Sequence, residues 1–209
     1  MEATNARIRG EICYNTLEEL TDAKLMPEYL SCSSVKNEIK KLTNILKGEN
    51  IDEDTIHRIL QKYSLDLIPP GTKGAIRGNK FNKIVKEYIT KLSLDTERFD
   101  IRFEEKFECH FTSDEIPDWF IREKSTNKIM IGMNQLDLWN GGQQINRGFK
   151  YLVNNKHNSD NSKLLCVVCN EIQFKRDKNK AYKLFEIGFT HNTLCYLNNL
   201  GNIITSYFD

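Results

Sequence analysis

Ile116-Pro117-Asp118-Trp119-Phe120-Ile121, a polar turn at Ser125-Thr126-Asn127, and then Ile129-Met130-Ile131-Gly132-Met133-Asn134-Gln135-Leu136-Asp137-Leu138-Trp139 decide how this chain folds. Two apolar runs bounded by turn formers predict paired strands, a β-hairpin whose first strand is opened by Asp118. Side chains alternate along a strand, so Met133, Gln135 and Asp137 share one face of the second strand and Asn134 and Leu136 the other. If the first of these faces looks toward Asp118, an acid, an amide and a second acid converge on one spot. That oxygen-rich set suits one divalent metal ion.

Upstream, Arg98 to Phe111 alternates enough to be an extended strand that delivers the chain to Pro117-Asp118. Before it, Arg77-Gly78-Asn79-Lys80-Phe81-Asn82 leads into a helix in which Phe81, Ile84, Val85, Tyr88 and Ile89 form one apolar face. Residues 1 to about 64 show the three- and four-residue apolar spacing of helices over Thr16 to Met26, Val35 to Lys47 and Asp52 to Tyr63, the last capped by Asp52 or Asp54. Leu67-Ile68-Pro69-Pro70-Gly71-Thr72-Lys73-Gly74 reads as a break, because prolines and glycines do not continue a helix. The domain boundary is expected there, with a helical region over 1–68 and an α/β core over 69–209. Gly71-Thr72-Lys73-Gly74 lacks the spacing of a phosphate-binding P-loop, which argues against an ATP site.

Downstream, Trp139 to Tyr151 carries two glycines that free the backbone to turn. The segment after them can form a helix rich in long hydrogen-bonding side chains: Gln143, Gln144, Asn146, Arg147 and Lys150. Gln and Asn match adenine edges and Arg matches guanine or phosphate, so this element can read or hold DNA; the alternative is a polar surface helix. Leu164 to Ile172 reads as a buried strand, and Glu171 near its end is a second candidate carboxylate. The C-terminus is expected to be a short helix over Ala181 to Ile187 stopped by Gly188, then a hairpin from Leu194 to Phe208 turning at Asn198-Asn199-Leu200-Gly201-Asn202.

At 209 residues the chain fits one domain, or one with an added helical subdomain. Its net charge of +1 argues against nucleic-acid binding by bulk charge alone. Local charge is segregated. Lys73, Arg77, Lys80, Lys83, Lys86 and Lys91 stand against Glu87, whereas the stretch from Asp95 to Asp118 is mainly acidic. A basic rim beside an acidic metal pocket suits a phosphodiester enzyme; two solvated surfaces of opposite sign are the alternative. No signal peptide or transmembrane run is visible, so an intracellular, cytoplasmic protein with reduced thiols and no membrane partner is expected. Cys166-Val167-Val168-Cys169 has metal-site spacing, but it lies in an apolar run with no second pair nearby, which points to core cysteines.

Pro-Asp, a short strand pair, and then an acid-x-Lys pattern at the end of the second strand is the signature that Pro117-Asp118 and the following hairpin resemble. The chain is similar over roughly residues 72 to 175 to the PD-(D/E)XK nuclease superfamily, which includes many type II restriction endonucleases. Where the family has its acid and lysine, this sequence offers Met133-x-Gln135 or Gln135-x-Asp137, and both registers stay open. Substitutions by Gln or Asn at these positions occur within the superfamily. Asn82 stands where many members carry a helix glutamate that supports the metal.

The resemblance implies a central mixed β-sheet flanked by helices, of restriction-endonuclease type, and Mg²⁺-dependent hydrolysis of double-stranded DNA. Asp118 would hold the metal, Asp137 or Glu171 would complete its shell, and Gln135 would orient the attacking water. Arg77, Lys83, Arg147 and Lys150 would meet phosphates, and cutting a palindrome would call for a homodimer. Two other classes stay open: a DNA-binding module of the same fold without cleavage, and a protein-interaction scaffold.

Overall fold

The computed structural model describes residues 16–106, 116–136, 152, 159–169 and 180–209. These residues divide into two compact units, one of Leu17–Lys80 and one of Thr16 with 81–209. The division falls inside a long helix, at Lys80, whereas sequence composition places it at Ile68.

The first unit holds α1 (Thr16–Glu19) from Leu17 on, α2 (Asp22–Ser31), α3 (Ser33–Gly48), α4 (Glu53–Tyr63) and the beginning of α5 (Pro70–Lys91). The helix expected over Thr16 to Met26 is two, because the Thr21 hydroxyl accepts the amide of Lys24 and starts α2 afresh. Asp52, of the two candidates, caps α4 by accepting the amide of Thr55 at 2.8 Å. Leu25, Tyr29, Val35 and Ile68 form this unit's core. The expected break is present between α4 and α5, which end and begin at Tyr63 and Pro70, but it stops short of the glycines. Pro70 takes the first position of α5, where a missing N–H costs nothing, and Gly71, Gly74 and Gly78 continue the helix.

The second unit is α/β. A five-stranded mixed sheet runs in the order β1 (Phe99–Phe103), β2 (Trp119–Glu123), β3 (Ile129–Gln135), β4 (Ser162–Val168) and β5 (Leu194–Tyr196). β1, β2 and β3 are antiparallel neighbours, while β4 joins β3 and β5 joins β4 in parallel. The expected hairpin is therefore β2–β3. Its turn closes with the Asn127 amide on the Glu123 carbonyl at 2.9 Å and with Asn127 at φ 58°, a conformation asparagine tolerates. The strand expected to run to Phe111 is observed as β1 up to Phe103, and residues 107–115 lie outside the described ones.

Both faces of the parallel part are covered. Phe120, Ile131, Met133, Leu152, Leu164, Cys166, Val168, Phe185 and Leu194 form one continuous apolar cluster. Ile121, Met130, Leu165 and Val167 are fully buried at alternate positions of the same strands. Helix α6 (Lys180–Thr190) continues past Gly188, and α7 (Leu197–Phe208) replaces the expected C-terminal hairpin. Leu197, Leu200, Gly201, Ile204 and Phe208 are buried at helical spacing. A Cβ on Gly201 would stand 3.0 Å from Leu92 and 3.2 Å from the Tyr88 hydroxyl, so this glycine lets α7 approach α5 and does not mark a turn. No helix among the described residues is long and apolar enough to cross a membrane.

Arg98 fastens the end of α7 to the sheet. Its Nε donates to Glu123 Oε1 at 2.6 Å and its Nη2 to the Phe208 carbonyl at 2.5 Å. Glu123 is buried, and its other oxygen accepts the Thr126 hydroxyl at 2.6 Å. The Thr126 hydroxyl, and then Arg98, hold its carboxyl below the ordinary glutamate range. A depressed folded pKa contributes stability above the unfolded value and loses it as pH falls through the folded one. Glu123→Gln should accordingly flatten the acid side of the stability profile. Thermal midpoints measured between pH 7 and about pH 3 should fall less steeply in the variant than in the wild type.

Candidate functional site

The site begins with a glycine. Trp119 opens β2 directly opposite Gly132 of β3. A Cβ at position 132 would lie 1.7 Å from Trp119 Cε2 and 2.2 Å from its Nε1, so only glycine lets the indole lie flat against the β3 backbone. Thus packed, Trp119 is 1% exposed, and its ring nitrogen reaches Asn134 Oδ1 at 3.1 Å.

Indole nitrogen is a donor only, so this bond fixes which way the Asn134 amide points. The Asn134 NH₂ must face away from the indole, and it donates to Asn82 Oδ1 at 3.2 Å. That fixes Asn82 in turn, whose NH₂ donates to Asp118 Oδ1 at 2.9 Å. The backbone amide of Asn134 closes the network on Asp118 Oδ2 at 2.6 Å. Asp118 is half-buried, and its main chain is locked on both sides, its amide on the Gly132 carbonyl at 3.1 Å and its carbonyl taking the Glu104 amide at 3.0 Å. The result is a carboxylate of fixed orientation at the mouth of the sheet, held by hydrogen bonds from Asn82 and Asn134, with Trp119 orienting the latter.

The face of β3 that meets Asp118 is therefore that of Asn134. The expected face carries Met133, which is buried in the apolar cluster with Phe120 and Cys166, and Gln135, half-buried one residue beyond Asn134. Gln135 pairs in register with Val168 at the end of β4. Asp137, Glu171, Gln143, Gln144, Asn146, Arg147 and Lys150 lie outside the described residues. Arg77 belongs to the helical unit, where it forms an ion pair with Asp22 at 2.5 Å. Lys83 is exposed on α5, and with Lys86, Glu87, Thr90 and Lys91 it lines a cleft of about 390 Å³. The Lys86 ammonium sits 5.1 Å from the centre of the Phe103 ring there.

Asp118 and Asn82 stand out in the sequence as parts of the site, whereas Trp119, Gly132 and Asn134 do not. The available signal was a tryptophan and a glycine at mirror positions of one hairpin. Compared with protein-family models, curated proteins and solved structures, the chain matches none.

Among the described residues no group of three or more His, Cys, Asp or Glu side chains could hold a metal. The donors at Asp118 are nonetheless all oxygen and amide, and a hard cation such as Mg²⁺ binds through one or two carboxylates while keeping its waters. The oxygens of Asp118 are of the hard kind that Mg²⁺ prefers over a soft metal, and the described residues do not bring three such ligands together. Behind the carboxylate, Cys166 is fully buried. Burial, then Cys195 and Asp118, push its thiol pKa well up. Cys195 is pushed up to about 12 by burial, and the Cys169 thiol donates to Thr16 Oγ1 at 3.0 Å. These three are packing residues, as the apolar run around them implies.

Gly132→Ala should force the indole out of its seat and cost about 3 kcal/mol, the scale of an overpacked core. A urea unfolding curve with a lowered midpoint would register it. Among the described cysteines, the half-exposed Cys32 should react with a thiol reagent in the native protein well before Cys166, Cys169 and Cys195. Mass mapping of a timed labelling series would give the order.

Proposed function

We propose that the chain is a Mg²⁺-dependent endodeoxyribonuclease of restriction type, with a nuclease-like core formed by its α/β unit. The observation that carries this reading is the oriented Asp118 carboxylate at the mouth of a mixed sheet, opening the middle one of three antiparallel strands. The resemblance expects the acid in that place, with the residue at position 82 on the preceding helix beside it. Further support comes from the sheet edge. β3 and β4 are parallel and end together at Gln135 and Val168, on the side of Asp118, and both remaining candidate acids, Asp137 and Glu171, follow those ends in sequence. Ligands of parallel sheets gather outside such carboxyl ends.

In this reading Asp118 supplies carboxylate oxygens to the metal, with Asp137 or Glu171 completing the shell. Asn82 and Asn134 keep the carboxylate aimed, so little is lost in ordering it when DNA arrives. Mg²⁺, when bound, supplies a water of lowered pKa and offsets the charge gathering on the phosphorus oxygens. The water-orienting role that the resemblance implies for Gln135 would have to reach round the end of β3, because its side chain shares the face of Met133 and not that of Asn134. Lys83, with Lys86 and Lys91 beside it, meets the backbone phosphates, and Gln143, Gln144, Asn146, Arg147 and Lys150 read or hold the duplex. A palindromic target calls for a homodimer.

One observation favours a second reading. Both Asp118 oxygens already accept donors, and amides stand at 82 and 134 around it, which would suit a DNA-binding module that has kept the fold without hydrolysis.

Long duplex DNA incubated with the protein, with Mg²⁺ or with chelator, separates the two. Discrete fragments that need Mg²⁺ are expected, abolished by Asp118→Ala and slowed about 10- to 100-fold by Asn82→Ala, the usual loss when a partner of a metal ligand is removed. Undiminished cleavage by Asp118→Ala overturns the site. Intact DNA together with steeply salt-dependent binding selects the second reading.

A further inference from the structure

At the other end of the sheet from Asp118 lies a second polar cleft that the nuclease reading does not use. It has a volume of about 530 Å³, and Lys128, Lys163, His191, Asn192, Ser206 and Tyr207 line it. Lys128 precedes β3, and Lys163 stands at the start of β4, paired with Met130. From Ile129 to Asn134 the chain climbs five strand residues, about 17 Å, so cleft and carboxylate are separate places.

Two ammonium groups share one ring here. Lys128 Nζ is 4.7 Å and Lys163 Nζ 5.7 Å from the centre of the Tyr207 ring. Tyr207 is fixed beneath them by its hydroxyl, which donates to the Ile129 carbonyl at 3.0 Å. Neither lysine forms an ion pair among the described residues. Glu123 acts on Lys128 only at longer range, its oxygens being taken by Arg98 and Thr126. Lys163 is half-buried, and the loss of water around it lowers its pKa, with only the Cys195 thiol opposing. Asp160 is the one acid on the rim, and it raises the Tyr207 pKa, although burial does so more. Two cations drawn together over an aromatic ring, one of them short of water, are costly unless an anion joins them. Asn192 and Ser206 supply exposed polar groups around the same opening, with His191 beside them.

We propose that this cleft binds a phosphoryl group, gripped by Lys128 and Lys163 over the Tyr207 ring. The volume is that of a site for a nucleotide-sized ligand. The phosphoryl group has two possible sources, a free phosphate or the backbone of a nucleic acid, and the chemistry of the grip is the same for both.

Calorimetric titration of the full chain at constant ionic strength tests it, with inorganic phosphate in one arm and a short DNA duplex lacking terminal phosphates in the other. Saturable binding is expected in at least one arm. Lys128→Gln and Lys163→Gln should each weaken it about tenfold, as loss of a charge-assisted hydrogen bond does. Asp160→Asn should tighten it. Loss confined to the phosphate arm identifies free phosphate as the ligand, and loss confined to the duplex arm identifies the nucleic-acid backbone. Lys163 has no ion pair among the described residues to abandon, only its place beside the Tyr207 ring, so its variant should melt close to the wild type, and Lys128 stands outside the core as a second probe. Binding absent from both arms, or unmoved by all three substitutions, overturns the proposal. None of these substitutions touches Asp118, so the result is independent of whether the protein cuts DNA.

Discussion

A donor-only indole nitrogen sets the direction of every bond at the candidate site. Trp119 can give its proton and take nothing, so Asn134 must present oxygen to it and nitrogen to Asn82, and Asn82 must present nitrogen to Asp118. An asparagine amide alone could be turned either way. Two in series behind an indole cannot, unless a bond is lost at each reversal, and a buried donor left without an acceptor costs about 1–3 kcal/mol. The indole is in place only because position 132 has no side chain. Packing on one strand therefore decides the polarity of a hydrogen-bond chain that ends on a carboxylate across the sheet.

Much of the fold was legible in the sequence. The β2–β3 hairpin follows from two apolar runs around Ser125-Thr126-Asn127, and the apolar face of α5 from the spacing of Phe81, Ile84, Val85, Tyr88 and Ile89, all of which are buried. Where the reading failed, local residue preference lost to tertiary packing. Gly71, Gly74 and Gly78 each cost a helix about 1 kcal/mol relative to alanine. The buried face from Phe81 onward anchors the same helix and offsets that cost. Asn198 to Asn202 has the composition of a turn, yet Leu197, Leu200, Ile204 and Phe208 lie three or four residues apart, a helical repeat that outweighed it.

The face of β3 was not legible for a different reason. Alternation gives two sets of residues, Met133 with Gln135 and Asn134 with Leu136, but it does not say which set the neighbouring strand's acid will meet. That depends on the pairing of Trp119 with Gly132, a relation between two strands that no single-strand pattern contains. A slip of one residue would have exchanged the two sets. The glycine rules the slip out, because at any other position of β3 the indole would meet a Cβ.

Amides in place of acids around Asp118 change what the site demands of its surroundings. Two carboxylates at hydrogen-bond distance repel, and without a cation one of them takes up a proton. Asn82 and Asn134 remove that conflict and hold Asp118 in one orientation with no metal present. The gain is a preorganised carboxylate; the loss is negative charge to attract a divalent cation. Any metal chemistry here needs further acid, and Asp137 and Glu171, which follow Gln135 and Val168 in sequence, are candidates at the edge where β3 and β4 end side by side. The opposite edge carries the cations Lys128 and Lys163, which form no ion pair among the described residues. The sheet thus separates charge along β3, with the carboxylate at its carboxyl end and the ammonium groups at its amino end. A polyanion approaching from solvent would be drawn first to the ammonium edge, and the carboxylate edge would admit it only in company with a cation.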